Sequence, residues 1–286
     1  MANVSFHVPP GACDSHTHIF GDYPMVPDRK YSPEPAGPAA MAALHRSLGV
    51  ERVVIVTPSV YGTDNASTLA GLKARGNSAR GIAVVSAQAR PEQLQALHDA
   101  GIRGIRLNLA TAGMADPVVA AARLKWAADQ IAELGWHVQV YTTLDVIAAL
   151  SDVVAGLAVP VVFDHFGGAR AQLGPQQPGF ADLVKLVASG RAYVKISGAY
   201  HISKRGPNYP DCLPLAKALI AANPDRVLWG TDWPHPDTSS KTPLRPTPFQ
   251  PINDALLFSQ LATWAPNPAV RDKILVDNPA RLYAFR

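Results

Sequence analysis

The chain has 286 residues, of which 48% are hydrophobic and 17% are charged, a length and composition that suit one α/β barrel and exclude a disordered chain. No stretch approaches the roughly 20 apolar residues of a membrane helix and no secretory signal opens the chain, so we expect a cytoplasmic protein with no membrane partner. The formal net charge is +4, but lysines and arginines are scattered, and we expect no nucleic-acid partner.

Short runs rich in β-branched residues alternate along the chain with helical segments. The candidate strands span residues 12–18, 52–57, 80–86, 101–108, 137–141, 160–165, 193–197 and 226–231. The helical segments span residues 38–48, 66–75, 91–98, 116–134, 143–155, 180–187 and 213–222. Alternation of this kind predicts βαβ units around a parallel sheet.

Eight such units favour a closed barrel over an open sheet. Residues 53–56 and 159–163 are apolar on both faces, as parallel strands covered on both sides must be. An open doubly wound sheet is the alternative, but no Gly-x-Gly-x-x-Gly follows the first strand. We therefore expect an α/β fold, a single (β/α)8 TIM barrel domain over residues 1–286, with its site at the C-terminal face of the barrel.

The first strand ends in a His-x-His pair, His16 and His18. Side chains alternate along a strand, so both imidazoles are expected to face inward. At this spacing they can bind one metal ion or polarise one carbonyl oxygen. A pair of hydrogen-bonded structural histidines remains the alternative.

Two further polar groups follow the sixth and eighth strands. Asp164 and His165 end the sixth, and we expect His165 to face inward while Asp164 points the other way and braces a neighbouring turn. Asp232 follows the eighth strand and is a candidate general base or metal ligand, because a carboxylate among histidines has a tuned proton affinity. His235 is either a supporting group or a plain loop residue.

Together these groups resemble the amidohydrolase superfamily, which places His-x-His on the first strand, a histidine after the sixth and an aspartate after the eighth. Within it the chain is similar to the amidohydrolase-related branch that contains the pyrone-dicarboxylate lactonases. The similarity runs from Asp14 to residues 277–282 and rests on six segments: residues 11–21, 30–33, 62–65, 103–108, 164–167 and 230–235. It implies a hydrolase, a carboxylic ester hydrolase that opens a lactone.

The resemblance also implies residue roles. Asp232 matches the base for the attacking water, and His16, His18 and His165 match the histidines around the scissile carbonyl. Four residues match the wall of the substrate pocket: Tyr31, Ser59, Arg106 and Tyr141. Apart from the resemblance, His201, Lys204 or Arg205 is expected to hold another polar group of the substrate. For the two tyrosines a space-filling role at the rim stays open, as does a turn hydroxyl for Ser59.

The chain departs from the pyrone lactonases where they carry further arginines. Those places correspond here to residues 110–112, to Gly168 and to the vicinity of Tyr200 and His201. A dicarboxylate would lose strong charge-assisted hydrogen bonds there. The expected substrate is a small-molecule acidic lactone with one acid group held by Arg106, such as a sugar-derived or muconolactone-type compound.

Cofactor, assembly and reaction type are left open. The resemblance allows either no cofactor or a single divalent metal ion, best Zn²⁺, held by His16, His18, His165 and Asp232. A metal-dependent decarboxylase and a lactone isomerase are alternative enzymes on the same barrel. A non-enzymatic barrel that binds a small acid is a further alternative, because a fold does not determine function. A homo-oligomer also stays open.

Overall fold

A computed structural model of the protein describes residues 4–110, 113, 116–238 and 246–286. An eight-stranded parallel sheet with its strands in chain order lies at the centre. The strands are β1 (Cys13–Thr17), β2 (Arg52–Val56), β3 (Ala79–Ala83), β4 (Ile102–Asn108), β5 (His137–Tyr141), β6 (Val161–Phe163), β7 (Ala192–Lys195) and β8 (Val227–Leu228). Every predicted strand is present, and the (β/α)8 barrel is confirmed.

Backbone hydrogen bonds between β1 and the segment after β8 close the barrel. Ser15 donates to the carbonyl of Trp229 at 2.9 Å, and His18 donates to the carbonyl of Trp233 at 2.9 Å. Between them Asp232 N–H donates to the carbonyl of His16 at 2.8 Å. Closure therefore fixes Asp232 directly beside the His-x-His pair.

Helices cover the outside of the barrel. They are α1 (Pro38–Leu48), α2 (Ala66–Arg75), α3 (Pro91–Asp99), α4 (Pro117–Ile131), α5 (Leu144–Ala149), α6 (Ser151–Gly156), α7 (Phe180–Ala188), α8 (Ala199–Ile202), α9 (Leu213–Ala222), α10 (Asp254–Ser259), α11 (Leu261–Trp264), α12 (Pro268–Asp272) and α13 (Asn278–Tyr283). A π-helical turn, Lys273–Asp277, joins the last two. The predicted helix 143–155 is divided in two at Leu150. None of the helices in the described ranges has the length and apolar character needed to cross a membrane.

Local sequence explains where several helices begin. Proline stands at the start of α1, α3 and α4, where its fixed φ suits the first turn and its missing N–H is not needed. Asp116 also caps α4, because its carboxylate accepts a hydrogen bond from Val118 N–H at 2.8 Å. Proline thus marks the predicted starts of α1 and α3, at Pro38 and Pro91.

A one-residue bulge in β1 sets the direction of its side chains. Asp14 pairs with Val53 while Thr17 pairs with Ile55, so β1 contains one more residue than β2 over this interval. Asp14 faces outward, with its Oδ2 3.2 Å from His45 Nε2 of α1. After the bulge His16 and His18 both face the interior, as predicted.

The bottom of the barrel interior is apolar. Val54, Ile82, Val162 and Leu228 form a buried cluster there with Tyr283 of α13, which plugs this end. His137, at the start of β5, packs against Tyr283 with ring centroids 5.3 Å apart. Because the bottom is filled, space for a ligand remains only towards the C-terminal ends of the strands.

The buried His137 predicts how stability depends on pH. Burial lowers the pKa of His137 from 6.5 to about 3. Between these values the unfolded chain binds a proton that the folded chain does not, so the free energy of unfolding falls as the pH falls, by up to about 1.4 kcal/mol per pH unit. His137→Gln cannot titrate and should lose this part of the slope, as measured by urea unfolding at about pH 6 and about pH 4.5. Equal slopes in the two proteins would contradict the prediction.

Candidate active site

Four predicted site residues meet at the mouth of the barrel. The carboxylate oxygen Oδ1 of Asp232 lies 3.5 Å from Nε2 of His16 and 3.5 Å from Nε2 of His18. Nε2 of His165, from the turn after β6, lies 3.8 Å from the same oxygen. All four side chains are buried, so one carboxylate oxygen faces three imidazoles away from bulk water.

The other carboxylate oxygen of Asp232 is held by hydrogen bonds. Its Oδ2 accepts from the Tyr200 hydroxyl at 2.5 Å and from His201 Nε2 at 2.8 Å. The Tyr200 hydroxyl also lies 3.1 Å from Nδ1 of His235, whose Nε2 lies 2.9 Å from Asp254 Oδ1. These bonds anchor Oδ2 and leave Oδ1 as the oxygen available for chemistry.

The protonation states favour an ionised carboxylate. Burial by itself raises the pKa of Asp232, but the neighbouring histidines, His165 foremost, and the hydrogen bond from His201 lower it more, and the pKa lies well below its usual range. Burial lowers the pKa of His165 to about 4 and that of His16 well below its usual value. At neutral pH an ionised carboxylate therefore lies beside the neutral imidazoles of His16 and His165, and an ionised carboxylate can accept a proton from water.

The prediction for the orientation of Asp164 is wrong. Asp164 is fully buried inside the barrel, with Oδ1 3.3 Å from His16 Nδ1, and its Oδ2 accepts from Gln139 Nε2 at 3.0 Å. Strand alternation gives Asp164 the same inward face as Val162. His165 reaches the mouth because its backbone turns away from the strand with a left-handed φ of 48°.

Sequence reasoning missed Lys195, the last residue of β7. Its side chain is fully buried and donates to Gln139 Oε1 at 2.6 Å, and its Nζ lies 3.2 Å from His16 Nδ1. Burial lowers the pKa of Lys195 from 10.5 to about 8, so the ammonium form predominates at pH 7. The sequence did contain a signal for Lys195. Side chains alternate along a strand, so Lys195 shares the inner face of the apolar strand β7 with Tyr193, two residues earlier.

Two cavities are lined by predicted site residues. One of about 290 Å³ is lined by Tyr141, His165 and His201 together with Arg170 and Lys204. Neither Arg170 nor Lys204 has a side-chain partner among the residues that the structure describes, and sequence reasoning missed Arg170. The cavity wall thus combines ring surfaces of the site with two unpaired cations.

The second cavity, of about 520 Å³, contains the predicted pocket residues Arg106 and Ser59. Arg106 is buried and donates to the Thr57 carbonyl at 3.1 Å, with Nη2 3.9 Å from Asp164 Oδ2. Buried Tyr31 forms a side-chain hydrogen bond with Ser59.

The remaining predicted positions fall into two groups. Gly168 lines the cavity that contains Arg170, whereas Arg205 is not among its lining residues. Thr111 and Ala112 lie outside the described residues.

The hydrogen bonds of the imidazoles decide whether the predicted ligand set can bind a metal ion. Three groups place their ligand atoms within 4.8 Å of one another: His16, His18 and Asp232; His16, Asp164 and His165; and His165, His201 and Asp232. A metal ion needs the lone pair of each imidazole nitrogen that binds it. His16 Nδ1 lies 3.2 Å from Lys195 Nζ, and accepting a hydrogen bond from this ammonium would keep the His16 proton on Nε2, the nitrogen that faces Asp232. With that proton in place, the predicted set of three histidines and Asp232 does not fit a metal ion through Nε2 of His16.

The chain is similar over nearly its whole length to known proteins. The family described as Amidohydrolase matches residues 13–285. A 2-pyrone-4,6-dicarboxylate hydrolase from Comamonas testosteroni is 36% identical over 97% of this chain and 92% of its own length. A 4-sulfomuconolactone hydrolase from Hydrogenophaga intermedia is 34% identical over 98% of this chain and 91% of its own length. An apo crystal structure from Agrobacterium tumefaciens has a TM-score of 0.82 at 27% identity and covers 97% of both chains.

Gly198 makes room for two histidines of the site. A Cβ at this position would lie 2.8 Å from His165 Nδ1 and 2.8 Å from His201 Cδ2, with φ at +59°. Gly135 has a similar φ of +64° but open space around it. Gly198→Ala should therefore lose about 1–3 kcal/mol more unfolding free energy than the control Gly135→Ala, because only the first adds a clash to the backbone strain. Urea unfolding measures both, and equal losses would show that the histidines move aside freely.

Proposed function

This chain belongs to the amidohydrolase family, and we propose that it is a lactonase in which Asp232 activates water to open the ring of a small acidic lactone. The observation that carries the proposal is the different environment of the two Asp232 carboxylate oxygens. Oδ2 accepts hydrogen bonds from Tyr200 and His201, whereas Oδ1 faces three imidazoles. Two relatives aligned over more than 90% of both chains carry the names of hydrolases of acidic lactones. The family match over residues 13–285 supports one domain for the whole chain.

His18 and Asp232 together can orient the attacking water. Nδ1 of His18 donates to the Val56 carbonyl at 2.7 Å, so its Nε2 carries a lone pair. That lone pair and Asp232 Oδ1 are both acceptors, 3.5 Å apart. A water molecule that donates one hydrogen to each directs its own lone pair outward, towards the carbonyl carbon of a lactone in the mouth.

Proton movements in the reaction balance without a cofactor. Asp232 takes one proton from water as the water oxygen bonds to the carbonyl carbon, and the carbonyl oxygen becomes an oxyanion. His16 Nε2 has no hydrogen-bond partner among the described residues, and it donates to this oxyanion. When the ring C–O bond breaks, the proton on Asp232 passes to the departing ring oxygen, so the net change is the addition of one water.

Cations around the site favour an acidic substrate. Buried Arg106 has an Nε without a hydrogen-bond partner among the described residues, and its guanidinium is suited to bind a carboxylate. Arg170 and Lys204 on the wall of the 290 Å³ cavity attract a negatively charged ligand towards the mouth. A lactone whose acid group contacts Arg106 while its ring carbonyl lies beside Asp232 satisfies both features.

Asp232→Asn should abolish hydrolysis while binding persists, because the amide keeps the shape but cannot accept the proton. In a pH-indicator screen of acidic lactones, turnover should fall by at least about 10²–10⁴-fold, the usual share of a general base. The control Asp182→Asn changes a half-buried carboxylate on α7, outside the site, and should have full activity.

Running the reaction in H₂¹⁸O separates the alternatives. Hydrolysis by the unaltered enzyme places one ¹⁸O in the product carboxylate, an isomerase places none, and a decarboxylase releases CO₂. Undiminished turnover by Asp232→Asn, or an unlabelled product, would refute the proposed reaction.

Arg106→Met should raise KM for acidic lactones by at least about tenfold, the effect of losing a charge-assisted hydrogen bond of about 1.5–3 kcal/mol. KM for a neutral lactone should change little, because no carboxylate is then involved. Arg103→Met is the matched control on the same strand, since Arg103 donates to carbonyls near the bottom of the barrel. Steady-state kinetics on the two lactone classes decides, and equal effects on both would show that Arg106 binds no substrate carboxylate.

A further inference from the structure

Lys195 is a buried cation for which the proposed reaction has no use. Its Nζ lies 2.6 Å from Gln139 Oε1, 3.2 Å from His16 Nδ1 and 3.4 Å from Asp164 Oδ1. The side chain is fully buried and lines neither of the two cavities described above. Burying an ammonium is unfavourable unless partners compensate it, so its position beneath His16 calls for a physical reason.

The three partners, Gln139, His16 and Asp164, stabilise the Lys195 ammonium in different ways. Asp164 supplies the opposite charge, and Gln139 bridges the two, since its Oε1 accepts from Lys195 while its Nε2 donates to Asp164 Oδ2 at 3.0 Å. Only His16 has a second ring nitrogen that leads on to the reaction centre. Among these three partners, His16 is therefore the one that connects Lys195 to the reaction centre.

We propose that Lys195 is a positioning residue that fixes His16 as the Nε2–H tautomer, so that His16 offers a hydrogen-bond donor to the lactone carbonyl. An ammonium has three N–H donors and no acceptor, so Nδ1 of His16 accepts from it. Asp164 Oδ1 lies 3.3 Å from the same Nδ1 but has no hydrogen-bond partner among the described residues. Asp164 thus compensates Lys195 without taking a proton from His16, and that proton stays on Nε2.

The two histidines of the His-x-His pair then have opposite roles. His18 donates through Nδ1 to the Val56 carbonyl, and its Nε2 accepts from water. His16 accepts through Nδ1 from Lys195, and its Nε2 donates to the oxyanion. A metal ion would need lone pairs on both Nε2 atoms, which explains why the predicted ligand set does not fit one. The chemical role of this pair rests on the proposed function, whereas the tautomer of His16 does not.

The test reads the tautomer directly. Protein labelled with ¹⁵N-histidine is studied by long-range ¹H–¹⁵N correlation NMR at neutral pH, and His16→Gln identifies the His16 signals among the nine histidines. We expect a protonated Nε2 and an unprotonated Nδ1, unchanged when Zn²⁺ is added. A protonated Nδ1, or loss of the Nε2 proton signal with Zn²⁺, would overturn the proposal.

Variants then show whether Lys195 causes that state. Lys195→Met removes the donor, and Lys195→Met/Asp164→Asn removes both buried charges and so avoids an unpaired carboxylate. In both variants the proton of His16 should be shared between Nδ1 and Nε2 or move to Nδ1. We expect kcat to fall by about 10²–10³-fold, as for one lost oxyanion donor. KM should stay within about threefold of its original value, because Arg106 still holds the acid group. Lys185→Met, an exposed control on α7, should change neither. A variant that folds and retains the Nε2–H tautomer and kcat overturns the role of Lys195.

The two proposals fail in different ways. If no lactone is hydrolysed by the unaltered protein, the proposed function falls, and the NMR tautomer of His16 alone decides the role of Lys195. If lactones are hydrolysed but His16 is protonated on Nδ1, the function stands and the role of Lys195 falls.

Discussion

One backbone hydrogen bond, from Asp232 N–H to the carbonyl of His16, ties barrel closure to the chemistry of the site. The bond belongs to the set that joins β1 to the segment after β8, and it connects two residues more than two hundred positions apart in the chain. Because closure and site share the same atoms, Asp232 adopts a left-handed φ of 65° where the ring closes. Such strained backbone persists only where the surroundings determine it.

Charge balance explains how so many ionisable groups lie below the mouth. Lys195 and Arg106 are cationic, Asp164 and Asp232 are anionic, and all four are buried. Each cation approaches Asp164, at 3.4 Å for Lys195 and 3.9 Å for Arg106. One carboxylate balances only one of the two cations, so Asp164 and Asp232 together offset the charges of Lys195 and Arg106.

Sequence patterns were sufficient to predict the barrel and the residues around Asp232. They were insufficient to predict the buried charged groups below His16, namely Asp164 and Lys195. Periodicity located all eight strands, because buried parallel strands are continuous apolar runs. Asp164 was misplaced because alternation was counted from His165, whereas a left-handed turn brings His165 to the mouth and alternation from Val162 puts Asp164 inside. Lys195 and Arg170 escaped notice because their roles arise only when distant strands and loops are brought together.

The extra residue in β1 limits which insertions and deletions this barrel can tolerate during evolution. Loops beyond the strand ends tolerate insertions and deletions, so the mouth can be remodelled for new ring compounds at little risk to folding. Loss of the bulged residue would restore even pairing with β2 and rotate either Asp14 or His16 to the opposite side of the sheet. Substrate specificity can therefore change through the loops at the mouth of the barrel, whereas the number of residues in β1 must stay the same.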